Sequence, residues 1–133
     1  MPSSVDPVKR SREETLLIVD DDVDVRRFLM ASVTAMGYRT IEAANGHEAL
    51  EALDGGLRPD LMILDFAMPG MNGAEVAAEA LRRLPGVRIL IATGYADTKA
   101  LQGAIGALPM LRKPFLVADL ANAIEGELRR ASN

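Results

Sequence analysis

No cysteine occurs among the 133 residues of the chain, so it has neither a disulfide framework nor thiolate chemistry. No apolar stretch approaches the roughly 20 residues that a membrane-spanning helix needs. The opening MPSSVDPVKRSREE is polar and charged with no apolar segment, unlike a secretory signal. Lysine and arginine never gather into a stripe, and the net charge is −4, which argues against a nucleic-acid or anionic-membrane surface. Internal repeats and low-complexity segments are absent as well. What is there is 49% apolar and 26% charged, the balance of a soluble globular protein, at a length that fits one domain able to bury a core. The expectation is a cytoplasmic protein with no nucleic-acid and no membrane partner.

Residues 1–14 hold two prolines, three serines and mixed charge, and are read as a disordered lead-in to a single domain over 15–131. From Leu16 onward, apolar runs alternate with helical periodicity. LLIV (16–19), LMIL (61–64), ILIA (89–92) and LPML (108–111) read as buried strands, while the more polar YRTIEA (38–43) suits a strand near the sheet edge. Val25, Phe28, Leu29, Val33 and Met36 follow helical spacing, and Gly37 supplies the stop. Asn45-Gly46 opens a short helix through Leu50 and Leu53, closed by Gly55-Gly56. Asn72 with Glu75 forms a capping-box pattern ahead of a helix that buries Val76, Ala77, Ala80, Leu81 and Leu84. A weaker helix passes through Leu101, Ala104 and Ile105, thinned by the glycines at 94, 103 and 106. The last helix carries Leu116, Leu120, Ile124 and Leu128. Five strand–helix units predict a three-layer (βα)5 α/β domain with a parallel five-stranded sheet and right-handed crossovers. The expected strand order is 2-1-3-4-5, with the site at the carboxyl ends of strands 1 and 3.

The four buried runs lead to Asp20-Asp21, Asp65, Thr93 and, through Arg112, Lys113. In a parallel sheet these strand ends share one edge, which would bring three carboxylates, a hydroxyl and an ammonium into one cleft. Like charges that close raise one another's pKa unless a cation compensates. The sole histidine, His47, belongs to the second helix, so the donor set is all oxygen and suits Mg²⁺. Asp22 and Asp24 are better read as caps of the following helix. Lys113 supplies countercharge for a transferring phosphoryl group, and Thr93 can donate its hydroxyl to a phosphoryl oxygen. The set would let Asp65 act as a nucleophile toward phosphorus, forming an acyl phosphate.

LLIVDDDVDVRR, LMILDFAMPGMNG, ATGYAD and RKPF, in this order and spacing, resemble the acidic-pair, phosphoacceptor, threonine and lysine segments of response regulator receiver domains in two-component systems. The resemblance covers residues 15–131 and implies the flavodoxin-like receiver fold, with Asp65 as phosphoacceptor. It further implies that Asp21, Asp65 and the Ala67 backbone carbonyl ligate Mg²⁺, with Asp20 acting mainly through water. Thr93 and Lys113 would hold the phosphoryl oxygens, and the Lys113–Pro114 bond would be cis. A sensor histidine kinase or histidine phosphotransfer domain would donate the group from phosphohistidine in a phosphorelay. The new charge would shift the surface running from the fourth strand to the fifth helix, mobile beforehand over residues 94–110 and ordered afterwards. The protein would then be a switch that assists its own phosphorylation and dephosphorylation rather than a metabolic enzyme, as a monomer or weak homodimer.

Two departures stand out. Receivers usually carry an aromatic residue three positions before the lysine, where this chain has Met110. Gly94-Tyr95 follows Thr93, as in a receiver subgroup similar to those of hybrid histidine kinases, so Tyr95 either shares the switching role or packs over the site. Both a stand-alone regulator and a receiver belonging to a hybrid kinase fit these motifs. Asp20-x-Asp22 also resembles haloacid-dehalogenase-like phosphohydrolases, but no further acidic pair of their kind follows the lysine. A flavodoxin-like cofactor carrier would need a Gly/Ser/Thr-rich phosphate loop where Asp20-Asp21-Asp22 stands.

Overall fold

Buried apolar strands and amphipathic helices alternate along the chain, and a computed structural model describes them for residues 13–94 and 108–131. In order they are β1 (Thr15–Val19), α1 (Val23–Ala35), β2 (Arg39–Ala43), α2 (Gly46–Asp54), β3 (Leu61–Asp65), α3 (Gly73–Arg83), β4 (Arg88–Thr93), β5 (Met110–Arg112) and a C-terminal helix (Val117–Ala131). All strand pairs are parallel, in the order β2-β1-β3-β4-β5. The expected α/β architecture and strand order are therefore observed. No helix among the described residues is long and apolar enough to cross a membrane.

The pleat sends alternate side chains to opposite faces, and both faces are covered. Leu17, Val19, Met62, Leu64, Ile89 and Ile91 pack with Leu50, Leu53, Val76, Ala77 and Ala80 of α2 and α3. Leu16, Ile18, Leu61, Ile63 and Leu90 pack with Leu29 and Val33 of α1 and with Leu120 and Ile124 of the C-terminal helix. Each fully buried Leu, Ile or Val contributes about 1.5–3 kcal/mol through apolar burial, so the central strands anchor the sheet.

The helix starts follow from their caps. The Asp22 side chain accepts from the Asp24 and Val25 amides, Asn45 from Glu48, and Asn72 from Glu75 in a full capping box. After α1, Gly37 at φ 100° takes the left-handed turn that a side chain would strain.

Two expectations need correction, and one apolar residue of α1 stands apart from the core. Leu116 precedes the C-terminal helix and is 71% exposed, with its amide donating to Asp119 Oδ2 at 3.2 Å; the helical face starts one turn later, at Leu120. Phe28, which follows the helical spacing of α1, is exposed, with its ring 6.4 Å from that of Phe115 between centroids. The 108–111 run is not a buried strand: β5 holds three residues at the sheet edge, paired with β4 alone, and Met110 is exposed. Edge position, with one flank unpaired, overrides the apolar composition there. The expected lead-in (its residues 1–12), Tyr95 and the helix through Leu101, Ala104 and Ile105 lie outside the described residues.

Ile63→Ala is expected to cost about 2–5 kcal/mol, read as a lower urea midpoint at unchanged m-value. Leu116→Ala should stay within about 0.5 kcal/mol of the parent in the same titration.

Candidate functional site

Where β1 ends, the backbone is held from three directions. The Asp20 amide donates to the Ala43 carbonyl at 3.3 Å, continuing the pairing with β2. Its Oδ1 accepts the Asp22 amide at 2.9 Å, and its own carbonyl accepts from Arg26 Nη1 at 2.7 Å. Asp22 is occupied in capping α1, as expected, which leaves Asp20 and Asp21 to face the cleft. Asp20 is buried and Asp21 exposed.

β3 ends on Asp65, also buried. The next amide, Phe66, donates to the Ala92 carbonyl at 2.9 Å, and the 66–73 loop then folds back so that the Gly73 amide reaches the Phe66 carbonyl at 2.8 Å. A Cβ on Gly73 would lie 2.7 Å from the Asp65 carbonyl oxygen and 2.9 Å from Phe66 Cα. Only glycine lets the start of α3 sit directly against the Asp65 backbone. Neither Gly73 nor Arg26 was singled out from the sequence. The one signal for Gly73 was its place just after the Asn72 cap, and Arg26 gave none.

β5 delivers Lys113. Its amide donates to the Thr93 carbonyl at 2.6 Å, tying the ends of β4 and β5 together, and the Lys113–Pro114 bond is cis. The Lys113 ammonium donates to Asp65 Oδ1 at 2.8 Å and lies 3.6 Å from Asp20 Oδ2, an ion pair too long for a hydrogen bond. Thr93 is buried at the end of β4, in register with Arg112. Asp20, Asp21, Asp65, Thr93 and Lys113 are thus gathered at one sheet edge. His47 is exposed on α2, and Met110 is exposed on β5.

Among the described residues these three carboxylates face one ammonium, and burial governs the ionisation of Asp20 and Asp65. Burial raises the Asp20 pKa above the ordinary 3.8, with the Asp21 charge adding, against the Asp22 amide and Lys113. Burial likewise raises Asp65, with Asp20 and Asp21 adding, against Lys113. For Lys113 burial works against the charge, but the Asp65 hydrogen bond and the attraction of Asp65 and Asp20 outweigh it and raise its pKa. Asp20 Oδ2 is buried with no hydrogen-bond partner. One oxygen from each of Asp20, Asp21 and Asp65 lies within 4.8 Å of the others. An all-oxygen set with an unsatisfied buried carboxylate oxygen fits a hard divalent cation such as Mg²⁺.

Comparison with known proteins gives the same direction. The response regulator receiver domain family matches residues 16–125. Sporulation initiation phosphotransferase F of Bacillus subtilis is 35% identical over 122 residues, which cover 90% of this chain and 98% of that protein. The DNA-binding response regulator MtrA of Mycobacterium tuberculosis is 35% identical over 119 residues, 88% of this chain but only 51% of that protein. Among solved structures, a CheY-like receiver domain protein from Methanospirillum hungatei superposes with a TM-score of 0.81 at 27% identity, covering 91% of this chain and 98% of that one.

The raised carboxylate pKa values set the sign of a pH dependence. Between 3.8 and the raised folded values, the unfolded chain has released protons that the folded chain still holds, so stability falls as pH rises through that window. Urea midpoints in EDTA are therefore expected to drop from about pH 4 toward neutrality, less steeply in Asp20→Asn, with millimolar Mg²⁺ restoring the parent at neutral pH. A flat profile in the parent would refute the raised pKa values of the two buried carboxyls.

Proposed function

The chain belongs to the response regulator receiver domain family, the phospho-accepting module of two-component signalling, and from that membership we propose how residues 15–131 perform the transfer. Asp65 is the phosphoacceptor. Lys113 engages Oδ1 of Asp65, which leaves Oδ2 as the oxygen that attacks phosphorus. The P–N bond to the donor imidazole breaks as the P–O bond of an acyl phosphate forms, and the pair of electrons from the broken bond returns to the imidazole nitrogen. Asp20 (through water), Asp21, Asp65 and the Ala67 carbonyl would hold Mg²⁺, which supplies charge neutralisation for the phosphoryl oxygens when bound. Thr93 donates its hydroxyl to one phosphoryl oxygen, and Lys113 moves its ammonium from Asp65 to another. The single observation that carries this reading is the buried Asp65 carboxylate, 2.8 Å from Lys113 and grouped with Asp20 and Asp21.

Receiver domains take their phosphoryl group from histidine kinases or phosphotransfer proteins. An apolar rim supports such a macromolecular donor: Val23, Phe28, Leu116 and Val117 are all exposed, and Phe28 meets Phe115 over a shallow pocket that Lys113 also lines. A helix presenting phosphohistidine would cover this rim while its imidazole enters the cleft.

The output is a change at β4, β5 and the C-terminal helix. Thr93 ends β4 and Lys113 directly follows β5, and the Lys113 amide joins the two, so drawing both side chains toward a phosphoryl group pulls the two strand ends together. Met110 on β5 and Tyr95 are the residues through which this is passed on. The protein is a cytoplasmic signalling module, not a metabolic enzyme, and its downstream partner lies outside the receiver itself.

Incubation with acetyl phosphate and Mg²⁺ is expected to add one phosphoryl group per chain, lost with EDTA and in Asp65→Asn while the circular dichroism stays native. Labelling of Asp65→Asn to the parental extent would sink the assignment. Phe28→Asp should slow transfer from a phosphohistidine protein by about 10-fold or more and leave acetyl phosphate labelling unaltered. Equal slowing with both donors would remove the rim from the donor interface.

A further inference from the structure

Arg26 has a role that packing does not explain. It stands one turn into α1 with its side chain 15% exposed, and it makes two directed bonds. Its Nη1 donates to the Asp20 carbonyl at 2.7 Å, and its Nε to Glu42 Oε1 of β2 at 2.8 Å.

The need for this bond comes from the end of the β1–β2 ladder. Asp20 donates its amide to Ala43, so continued parallel pairing would bring the Asn45 amide to the Asp20 carbonyl. The chain leaves the sheet before that happens. The Ala44 amide turns to Glu48 Oε1 at 2.8 Å, and Asn45 becomes the cap of α2. Arg26 takes the place of the lost ladder donor, and the carbonyl of a residue 1% exposed is satisfied. The guanidinium also holds Glu42, so α1, the end of β1 and β2 are joined at one point.

Asp20 and Asp21 repel Asp65, so the backbone that carries the pair has to hold it against that repulsion. We propose that Arg26 is a positioning residue for the divalent cation: by clamping the Asp20 carbonyl it holds the Asp20–Asp21 backbone toward Asp65, so the cation meets a preset carboxylate pair. It touches none of the carboxylates of the cluster and acts only through the main chain. Groups that hold the ligands of a metal in place commonly govern its affinity. The inference rests on the proposed Mg²⁺-dependent phosphoryl transfer and adds a residue to it.

The test is calorimetric titration of the metal-free protein with Mg²⁺, alongside hydrogen exchange of the Asp22 amide, which bonds Asp20 Oδ1. Arg26→Met keeps the apolar stem without the donors, and is expected to bind Mg²⁺ about 10-fold more weakly and to lose protection at Asp22 before any metal is added. Acetyl phosphate labelling should slow at limiting Mg²⁺ and recover at saturation. Arg26→Lys, which can still reach one acceptor, should regain affinity to within about threefold of the parent, and Glu42→Gln should leave it there too. The proposal is overturned if Arg26→Met binds Mg²⁺ within about twofold of the parent, or if its labelling defect persists unchanged at saturating Mg²⁺. It is equally overturned if both Arg26 variants fail to fold, because Arg26 would then serve folding and not positioning. A parent that binds no Mg²⁺ would bring down the phosphoryl-transfer reading itself, whereas a binding parent matched by Arg26→Met brings down this inference alone.

Discussion

Mutual repulsion among Asp20, Asp21 and Asp65, opposed by the ammonium of Lys113, is the constraint around which the carboxyl edge of the sheet is organised. Carboxylates left this close would protonate or move apart. They stay because each is fixed by the main chain beneath it, and because those main-chain segments are the ends of strands buried on both faces. The apolar sheet therefore does more than stabilise the domain: it holds a charged arrangement that is unfavourable on its own. Burial first, and the neighbouring carboxylate charges second, raise the Asp20 and Asp65 pKa values. A cation placed among the three carboxylates would relieve the repulsion.

Fixation is achieved mainly by backbone groups. Gly73 brings the start of α3 against Asp65, the Lys113 amide joins β5 to β4, and Arg26 closes the last carbonyl of the β1 end. Two of these contacts, from α3 and α1, brace a strand end that carries a cluster carboxylate, and the third ties the ends that carry Thr93 and Lys113 to each other. Displacement at one strand end is accordingly felt at its neighbour, which is the physical requirement for a switch. Thr93 ends β4 and Lys113 directly follows β5, so a charge that attracts both acts on the β4–β5 pair.

Much of this was legible from local patterns. LMIL before Asp65 and ILIA before Thr93 are unbroken apolar runs, and both are buried central strands. Asp22, Asn45 and Asn72 read as caps because a short polar side chain ahead of an apolar periodicity has one dominant use, and all three cap. Leu116 and Met110 were misread, and Phe28 was left unplaced, for a shared reason. Periodicity reports that a residue is apolar, not whether another element covers it, and these three lie where neighbouring elements leave a rim or an edge uncovered. Gly73 and Arg26 left almost no trace, because a close approach and a carbonyl lacking a donor are properties of pairs of segments far apart in the chain.

The amino-acid sequence by itself determined which residues could do chemistry and in which order the strands would present them, because residue type and apolar period are local quantities. Tertiary structure alone decided that Lys113 reaches Asp65 at 2.8 Å and Asp20 at 3.6 Å, that one Asp20 oxygen remains buried without a hydrogen bond, and that Arg26 completes the β1 end. Those distances depend on the register of neighbouring strands and on where β2 turns away from the sheet. Such features arise from packing between segments, and no single segment encodes them.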